Sequence, residues 1–226
     1  MTSTSITLSY KPRVLEVCGV GDGGAAEHVL RLSELLTARG WDVHISCPPS
    51  WLGGAARNLG LRVHTRRYSR RPAPVTDLAG AIALFRLIRR HRYDVVHLHS
   101  SKAGAIGRLA ARLAGRPSVY TPHAWAFLMD GDRAARTLWT KIESLGAILG
   151  NATICVSEAE RRAGDAAGVL QRSDVVVVIP NGVAIPLASR TARDGERLTV
   201  GTVARLCRQK GVDVLVDAVP RVLSVL

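Results

Sequence analysis

The sequence predicts an α/β protein built on a doubly wound parallel sheet, with a second, shorter unit beginning near its end. Short β-branched apolar runs alternate with stretches of helical period along most of the 226 residues. A glycine-rich turn joins the first such run to the first helix, and residues 93–129 read as a complete βαβ unit, the crossover that parallel strands require.

Residues 13–18 (RVLEVC) form the first expected strand, which runs into the glycine-rich stretch 19–24. Val29, Leu32, Leu35 and Leu36 then mark a helix over about 25–38, ended by Gly40. Residues 42–46 are the second strand. Gly19, Gly21 and Gly24 match the letters of a dinucleotide-binding loop, but the second strand closes without the acidic residue a ribose would need. That argues against a nicotinamide cofactor. Residues 51–59 look helical, 61–64 are a weak strand, and an Arg-rich connection leads to a helix over 75–91 whose apolar face includes Leu78, Ile82, Phe85 and Ile88. In the central unit, 94–99 is a strand, Ser100 and Ser101 are candidate helix caps, and 102–114 repeats apolar residues at Ile106, Leu109, Ala110 and Leu113. Gly115-Arg-Pro117 stops that helix before a strand at 118–121. A loop then leads to a helix over 133–149, a strand at 152–156, and a helix that breaks near Gly168. Five β-branched residues in a row, 175–179, read as a strand buried on both faces, ending at Pro180-Asn-Gly182. Residues 198–203 start a further strand and a helix follows from about 212, with Pro220 as an expected kink or stop. The expected organisation is a flexible N-terminus (1–12), a first domain (13–182), a linker (183–197), and the start of a truncated second domain (198–226).

Composition narrows the function. A hydrophobic fraction of 47% supports a packed core. The formal net charge of +13 is carried almost wholly by Arg, with Lys only at 11, 102, 141 and 210. Arg is thickest over 57–92, with Arg66-Arg67 and Arg70-Arg71 around Tyr68. Such a patch suits phosphates, anionic lipid headgroups or nucleic acid, and an Arg-leaning solvated face accounts for it as well. Aromatics, at 4%, are too few to stack a single strand, so nucleic acid is not the expected partner. Cys18, Cys47, Cys155 and Cys207 form no CxxC pair and read as free thiols in a reducing compartment. No apolar run has the length of a signal core or a membrane span. A cytoplasmic protein is expected, peripheral at most on the inner membrane face.

Six short motifs, in order, carry a family resemblance: Gly23-Gly24-Ala-Ala-Glu-His-Val29; Val95-Val-His-Leu-His-Ser-Ser-Lys-Ala-Gly104; Thr121-Pro-His123; Cys155-Val-Ser-Glu158; Ile179-Pro-Asn-Gly-Val183; and Val200-Gly-Thr-Val-Ala-Arg205 with Lys210-Gly211. Together they resemble the family 4 glycosyltransferases of GT-B fold, over roughly residues 12–219, and especially members that build capsule or exopolysaccharide. The resemblance implies a Rossmann-like N-terminal domain on the acceptor side, a second Rossmann-like domain for the donor, and sugar transfer with retention in the cleft between. It implies a UDP- or GDP-linked sugar as substrate and no required metal or other cofactor. Gly23 and Gly24 would lie beside the donor diphosphate and sugar, His123 would be the active-site histidine, and Arg205 and Lys210 would hold the diphosphate. The family's paired glutamates lie beyond the matched residues. Two departures stand out: Ala26 where many members have Glu, and Ala124 where many have Gly.

Chemistry supports several of these positions independently. Transfer from a nucleotide diphosphate builds charge on the leaving phosphate, which cations and helix N-terminal amides stabilise. Lys102 in a helix's first turn opposes the dipole, so an anionic ligand there would offset it. A Lys102 that extends into water accounts for its position as well, and Glu158 reads as structural though it sits at a strand end near the cleft. The resemblance makes Ser100, Ser101, Lys102 and Glu158 the expected acceptor-side wall, with His123 able to donate a hydrogen bond to sugar or phosphate. His97 and His99 alternate with apolar residues and share a face; without a carboxylate or cysteine at ligand spacing they read as core or cleft lining. Asp130-Gly-Asp132 resembles a metal-binding DxD but precedes a helix, where acidic caps are common. Glu143 reads as structural. The leading expectation is a glycosyltransferase acting on a glycan or lipid-linked acceptor, in a truncated form with little activity alone. The alternative is a non-catalytic acceptor- or partner-binding module that needs a separate donor-binding chain.

Overall fold

The computed structural model describes residues 10–69, 72–129, 131–183, 200–204, 206 and 210–224. The chain divides into two units, Met1–Val183 and Ala184–Leu226. In the first, the elements run β1 (Arg13–Cys18), α1 (Gly24–Ala38), β2 (Asp42–Cys47), α2 (Trp51–Asn58), β3 (Arg62–Thr65), α3 (Pro74–His91), β4 (Val95–His99), α4 (Ser101–Leu113), β5 (Ser118–Thr121), α5 (Arg133–Leu149), β6 (Ala152–Cys155), α6 (Glu158–Ala166) and β7 (Val175–Val178). These bounds lie within a residue or two of the periodicity. Single 3-10 turns at Ala126–Leu128 and Leu170–Arg172 add to them.

All seven strands pair in parallel, in the order β3-β2-β1-β4-β5-β6-β7. The chain steps outward one way from β1 and the other way from β4, so right-handed crossovers put their helices on opposite faces. On one face α3 packs on α4 and α4 on α5, and on the other α1 packs on α2. Leu15, Val17, Val96 and Leu98 join Leu84 and Ile88 of α3 and Ile106 and Ala110 of α4 in the main core. Cys18, Ala26, Val29, Ile45, Cys47 and Leu52 fill the smaller core under α1. Cys18, Cys47 and Cys155 are buried free thiols; Cys207 lies outside the described residues.

Helix α4 sits close to the sheet because Gly104 faces the Tyr120 ring; a Cβ there would lie 2.3 Å from the ring's Cε2. Beside it, Arg108 is fully buried. Its Nη2 meets Glu143 Oε2 at 2.8 Å, its Nε donates to the Gly104 carbonyl at 2.9 Å, and its guanidinium stacks 4.2 Å over Tyr120, whose hydroxyl donates to Glu143 Oε1. Glu143 is thus structural, a buried tie from α5 to α4.

Three expectations are corrected. Strand β7 is not buried on both faces: it is the sheet's edge within this unit, and Val175 and Val177 are 50% and 39% exposed. A β-branched run alone cannot tell a central strand from an edge. In the second unit, residues 200–203 form no strand, since no ladder partner lies beside them among the described residues. Helix α7 (Val212–Leu223) runs through Pro220, which removes the stop from the two outcomes expected there.

Candidate functional site

Strand alternation assembles the site. Because Leu15, Val17, Val96 and Leu98 face α3 and α4, Glu16, His97 and His99 face the α1 side. Parallel register sets Glu16 beside His97 and Cys18 beside His99. Glu16 is fully buried, and its Oε2 lies 2.7 Å from His99 Nε2 and 3.1 Å from His97 Nδ1. Burial alone would raise its pKa. The electrostatic pull and hydrogen bond of His97, then the hydrogen bond of His99, outweigh it and hold the carboxyl at about 2. Glu16 is therefore a carboxylate that can only accept, so both imidazoles donate to it. His97 Nε2 lies 2.9 Å from the Thr121 hydroxyl.

The network continues outward. His99 Nδ1 meets His123 Nε2 at 3.0 Å, with the two rings stacked at an interplanar angle of 23°. His28 of α1 lies against both, its ring centroid 5.0 Å from His123 and 5.8 Å from His99. Burial, reinforced by the neighbouring imidazoles, lowers His123 to about 2 and His99 to about 4, and draws His28 downward. All three are neutral at pH 7. Their nitrogens lie within 4.8 Å of one another, as do the ligand atoms of Glu16, His97 and His99. A divalent ion could span either set, but in the first the shared proton between His99 and His123 already satisfies two of the nitrogens.

His123 and Ala124 both have positive φ, 53° and 84°. Glu160 of α6 holds them there. Its Oε1 accepts from Ala124 N at 2.5 Å, its Oε2 accepts from Val156 N at 2.7 Å, and its carbonyl accepts from Trp125 Nε1 at 2.7 Å. Ala124 therefore occupies a conformation that favours glycine. Across the site, Gly23 has φ 83° and precedes α1 with no side-chain cap, and neither it nor Gly24 has a neighbour within 4 Å of where a Cβ would stand. The open hollow there is lined by Asp22, Gly23, Glu27 and Trp51. Backbone amides at an uncapped helix start suit an anion, while the two carboxylates at the rim suit sugar hydroxyls.

The remaining expected residues divide. Ser100 caps α4 with a strained φ of 76°, and its buried Oγ has no hydrogen-bond partner among the described residues. Ser101 Oγ accepts from Ala126 N at 3.3 Å. Lys102 finds its anion within the chain: Nζ contacts Asp77 Oδ1 and Oδ2 at 2.8 and 2.7 Å, and the side chain is buried. Glu158 is exposed and pairs with Arg161 at 3.0 Å. Lys210 is exposed in the second unit, next to Gly211, which caps α7; Arg205 lies outside the described residues. Asp132 caps α5 by accepting from Ala135 N at 2.7 Å, and Asp130 lies outside the described residues.

Sequence reading missed Glu16, His28, Asp77 and Glu160. A lone acid inside RVLEVC was the signal for Glu16, and it supplies the carboxylate that spacing along β4 could not reveal. Ser157-x-x-Glu160 has the form of a capping box, and Ser157 Oγ does accept from Glu160 N at 3.1 Å.

Comparison with known proteins follows the same lines. Residues 22–185 match the profile described as Glycosyltransferase Family 4. The chain belongs to this family. One relative, the UDP-Gal:alpha-D-GlcNAc-diphosphoundecaprenol alpha-1,3-galactosyltransferase of Escherichia coli, is 31% identical over 57% of this chain and 34% of its own. Another, the phosphatidyl-myo-inositol mannosyltransferase of Mycobacterium leprae, is 30% identical over 89% of this chain and 54% of its own. The family 4 chain thus spans about a third of the first relative and half of the second. Among solved structures, a glycosyltransferase from Rickettsia africae superposes with a TM-score of 0.60 at 18% identity, covering 76% of this chain and 44% of that one. Anabaena Alr3699/HepE, in complex with UDP and glucose, gives 0.59 at 19% identity over 75% and 44%. The fold is that of one half of a GT-B glycosyltransferase. Among the described residues, no helix is long and apolar enough to cross a membrane.

Proposed function

We propose that the chain forms the acceptor-side half of a retaining glycosyltransferase, moving a sugar from a UDP- or GDP-linked donor to a lipid-linked or cell-surface glycan acceptor. The observation that carries this reading is the packing of His28, on the helix that starts uncapped after Gly23, against His123, at the end of a buried histidine network beyond the carboxyl ends of β4 and β5. In this reading the glycine turn approaches the donor, His123 contacts the transferred sugar, and Ser100 and Ser101 line the acceptor side. Arg205 and Lys210 would neutralise the departing diphosphate as the sugar's anomeric carbon leaves it for the acceptor oxygen. No step calls on a metal, so a chelator should leave transfer intact. The relatives' names favour a lipid-linked acceptor, since the E. coli protein is named for a diphosphoundecaprenol substrate and the mycobacterial one for a phosphatidylinositol.

A peripheral membrane contact fits this assignment. On α3, Val75, Leu78 and Ile82 are exposed along one stripe that continues into exposed Arg86 and Arg89, with Arg67 nearby in sequence. Apolar side chains followed by guanidinium groups suit an anionic lipid surface. The deciding experiment incubates the complete gene product with UDP- and GDP-sugars and undecaprenyl- or inositol-linked acceptors on anionic vesicles. Transfer that falls at least about tenfold in His123→Ala, with protein that co-sediments with anionic but not neutral vesicles, is the expected result. Absence of both transfer and donor hydrolysis would sink the assignment. Binding of acceptor alone would favour the non-catalytic module instead.

A further inference from the structure

We propose that Glu16, acting through His99, fixes the protons along the histidine chain so that His123 presents an unprotonated ring nitrogen, Nδ1, as a hydrogen-bond acceptor. Glu16 and His99 are positioning residues, and the ligand group that fits is a hydroxyl donor rather than a phosphate oxygen. The proposal deepens the sugar-transfer reading and uses its site, but its first test needs no sugar to be transferred.

The geometry gives a direction to the chain of protons. A buried carboxylate has no proton to give, so the 2.7 Å contact requires the hydrogen on His99 Nε2. A neutral imidazole protonated at Nε2 has a lone pair at Nδ1. The 3.0 Å contact to His123 Nε2 then requires the hydrogen on His123. His123 in turn is left with a bare Nδ1, which has no hydrogen-bond partner among the described residues. His97 does not enter this order, because its Nδ1 faces Glu16 at 3.1 Å and its Nε2 faces the Thr121 hydroxyl at 2.9 Å, so neither nitrogen is turned to His123 or to the free side of His99. Placing a second proton on His99 would add a cation among His28, His97 and His123 in a fully buried position. Two further features keep the chain in register: the stacking of His99 on His123, and the grip of Glu160 on the backbone just after His123.

The consequence is selective. An acceptor nitrogen attracts a sugar O–H and repels a phosphate or carboxylate oxygen. That reverses the sequence expectation, in which His123 donates. It also explains why a carboxylate sits in the middle of the first strand: a neutral residue there would leave His99 free to take either tautomer, and His123 would follow.

The test is two-bond ¹H–¹⁵N correlation spectroscopy on the protein labelled with ¹⁵N at histidine, at neutral pH and without ligand. The expected result is that His99 and His123 both carry their single proton on Nε2. A second sample, Glu16→Gln, removes the charge and lets the side chain donate to His99 as well as accept. There the ordered pattern should be lost, with both tautomers of His123 in comparable amounts. A wild-type His123 protonated at Nδ1, a doubly protonated His99, or a pattern unchanged in Glu16→Gln would each overturn the proposal. The wild-type spectrum decides the proton order even if the variant does not fold. In the complete enzyme, Glu16→Gln should lower kcat several-fold with donor KM little changed, and an enzyme with no transferase activity would defeat the functional assignment while leaving the spectrum intact.

Discussion

Lowering the pH from about 7.5 to about 5 should weaken this fold, and the buried histidines set the size of the effect. His99 is fully buried, and desolvation, aided by His97, takes its pKa from an ordinary 6.5 to about 4. Below pH 6.5 the unfolded chain therefore binds a proton that the folded chain refuses. The contribution is fully present above pH 6.5 and is lost as the pH falls toward 4. At pH 5 the linkage relation gives a loss of about 2 kcal/mol from His99 alone. Glu16 adds little in this window, since its carboxyl is mostly ionised in both states at pH 5; its own contribution is lost lower, as the pH falls through 4.5 toward 2. His123, His44 and His64 are also pushed down, to about 2, 4 and 4, and act in the same direction. Two kcal/mol is a large part of the stability of a typical domain and corresponds to about 1 M in urea midpoint. Tryptophan fluorescence reports the transition, because Trp125 is buried against Phe127. Equilibrium urea curves at constant ionic strength should show the midpoint falling steadily below pH 6.5. A midpoint constant from pH 7.5 to 5 would refute the view that these imidazoles are held neutral by the fold.

Two further predictions concern the packing that supports the site. Arg108→Met should destabilise the protein by about 3–5 kcal/mol in urea unfolding, because it leaves Glu143 buried without its guanidinium; adding Glu143→Leu should recover much of that loss. Ala124→Gly should stabilise it by about 1 kcal/mol, raising Tm by about 2–4 °C, because it relieves the φ of 84° while keeping the backbone bond to Glu160.

Much of the sheet was legible in the sequence, because alternating β-branched runs and helical stripes leave little choice of element; the order of its strands was not, since the chain returns from β3 to set β4 beside β1. The site was legible in part. His123 and Gly23 announce themselves by their place at the end of a strand and in a glycine turn. Glu16 was hidden because its partners come from β4, and register between strands distant in sequence is not written in local spacing. Lys102 misled for a related reason: its neighbour Asp77 lies on another helix, so its charge looked uncompensated. The seven histidines are spread from 28 to 123, yet the fold gathers His28, His97, His99 and His123 around Glu16, and His44, His64 and His91 around Tyr93. No periodicity could have sorted them.

The two edges of the sheet differ in how well they resist recruiting another chain. Strand β3 is four residues long and carries Arg62 and His64, which discourage a newcomer by charge and bulk. Strand β7 is four consecutive valines, half open to solvent within its unit, with no charge inside the run. Its outer row of amides and carbonyls offers a template of high β-propensity, so β7 is where edge-to-edge aggregation would begin at high concentration. Asp174, just before the run, is the nearest acidic gatekeeper, and a lysine at Val177 would place a charge within the strand where the native sequence has none.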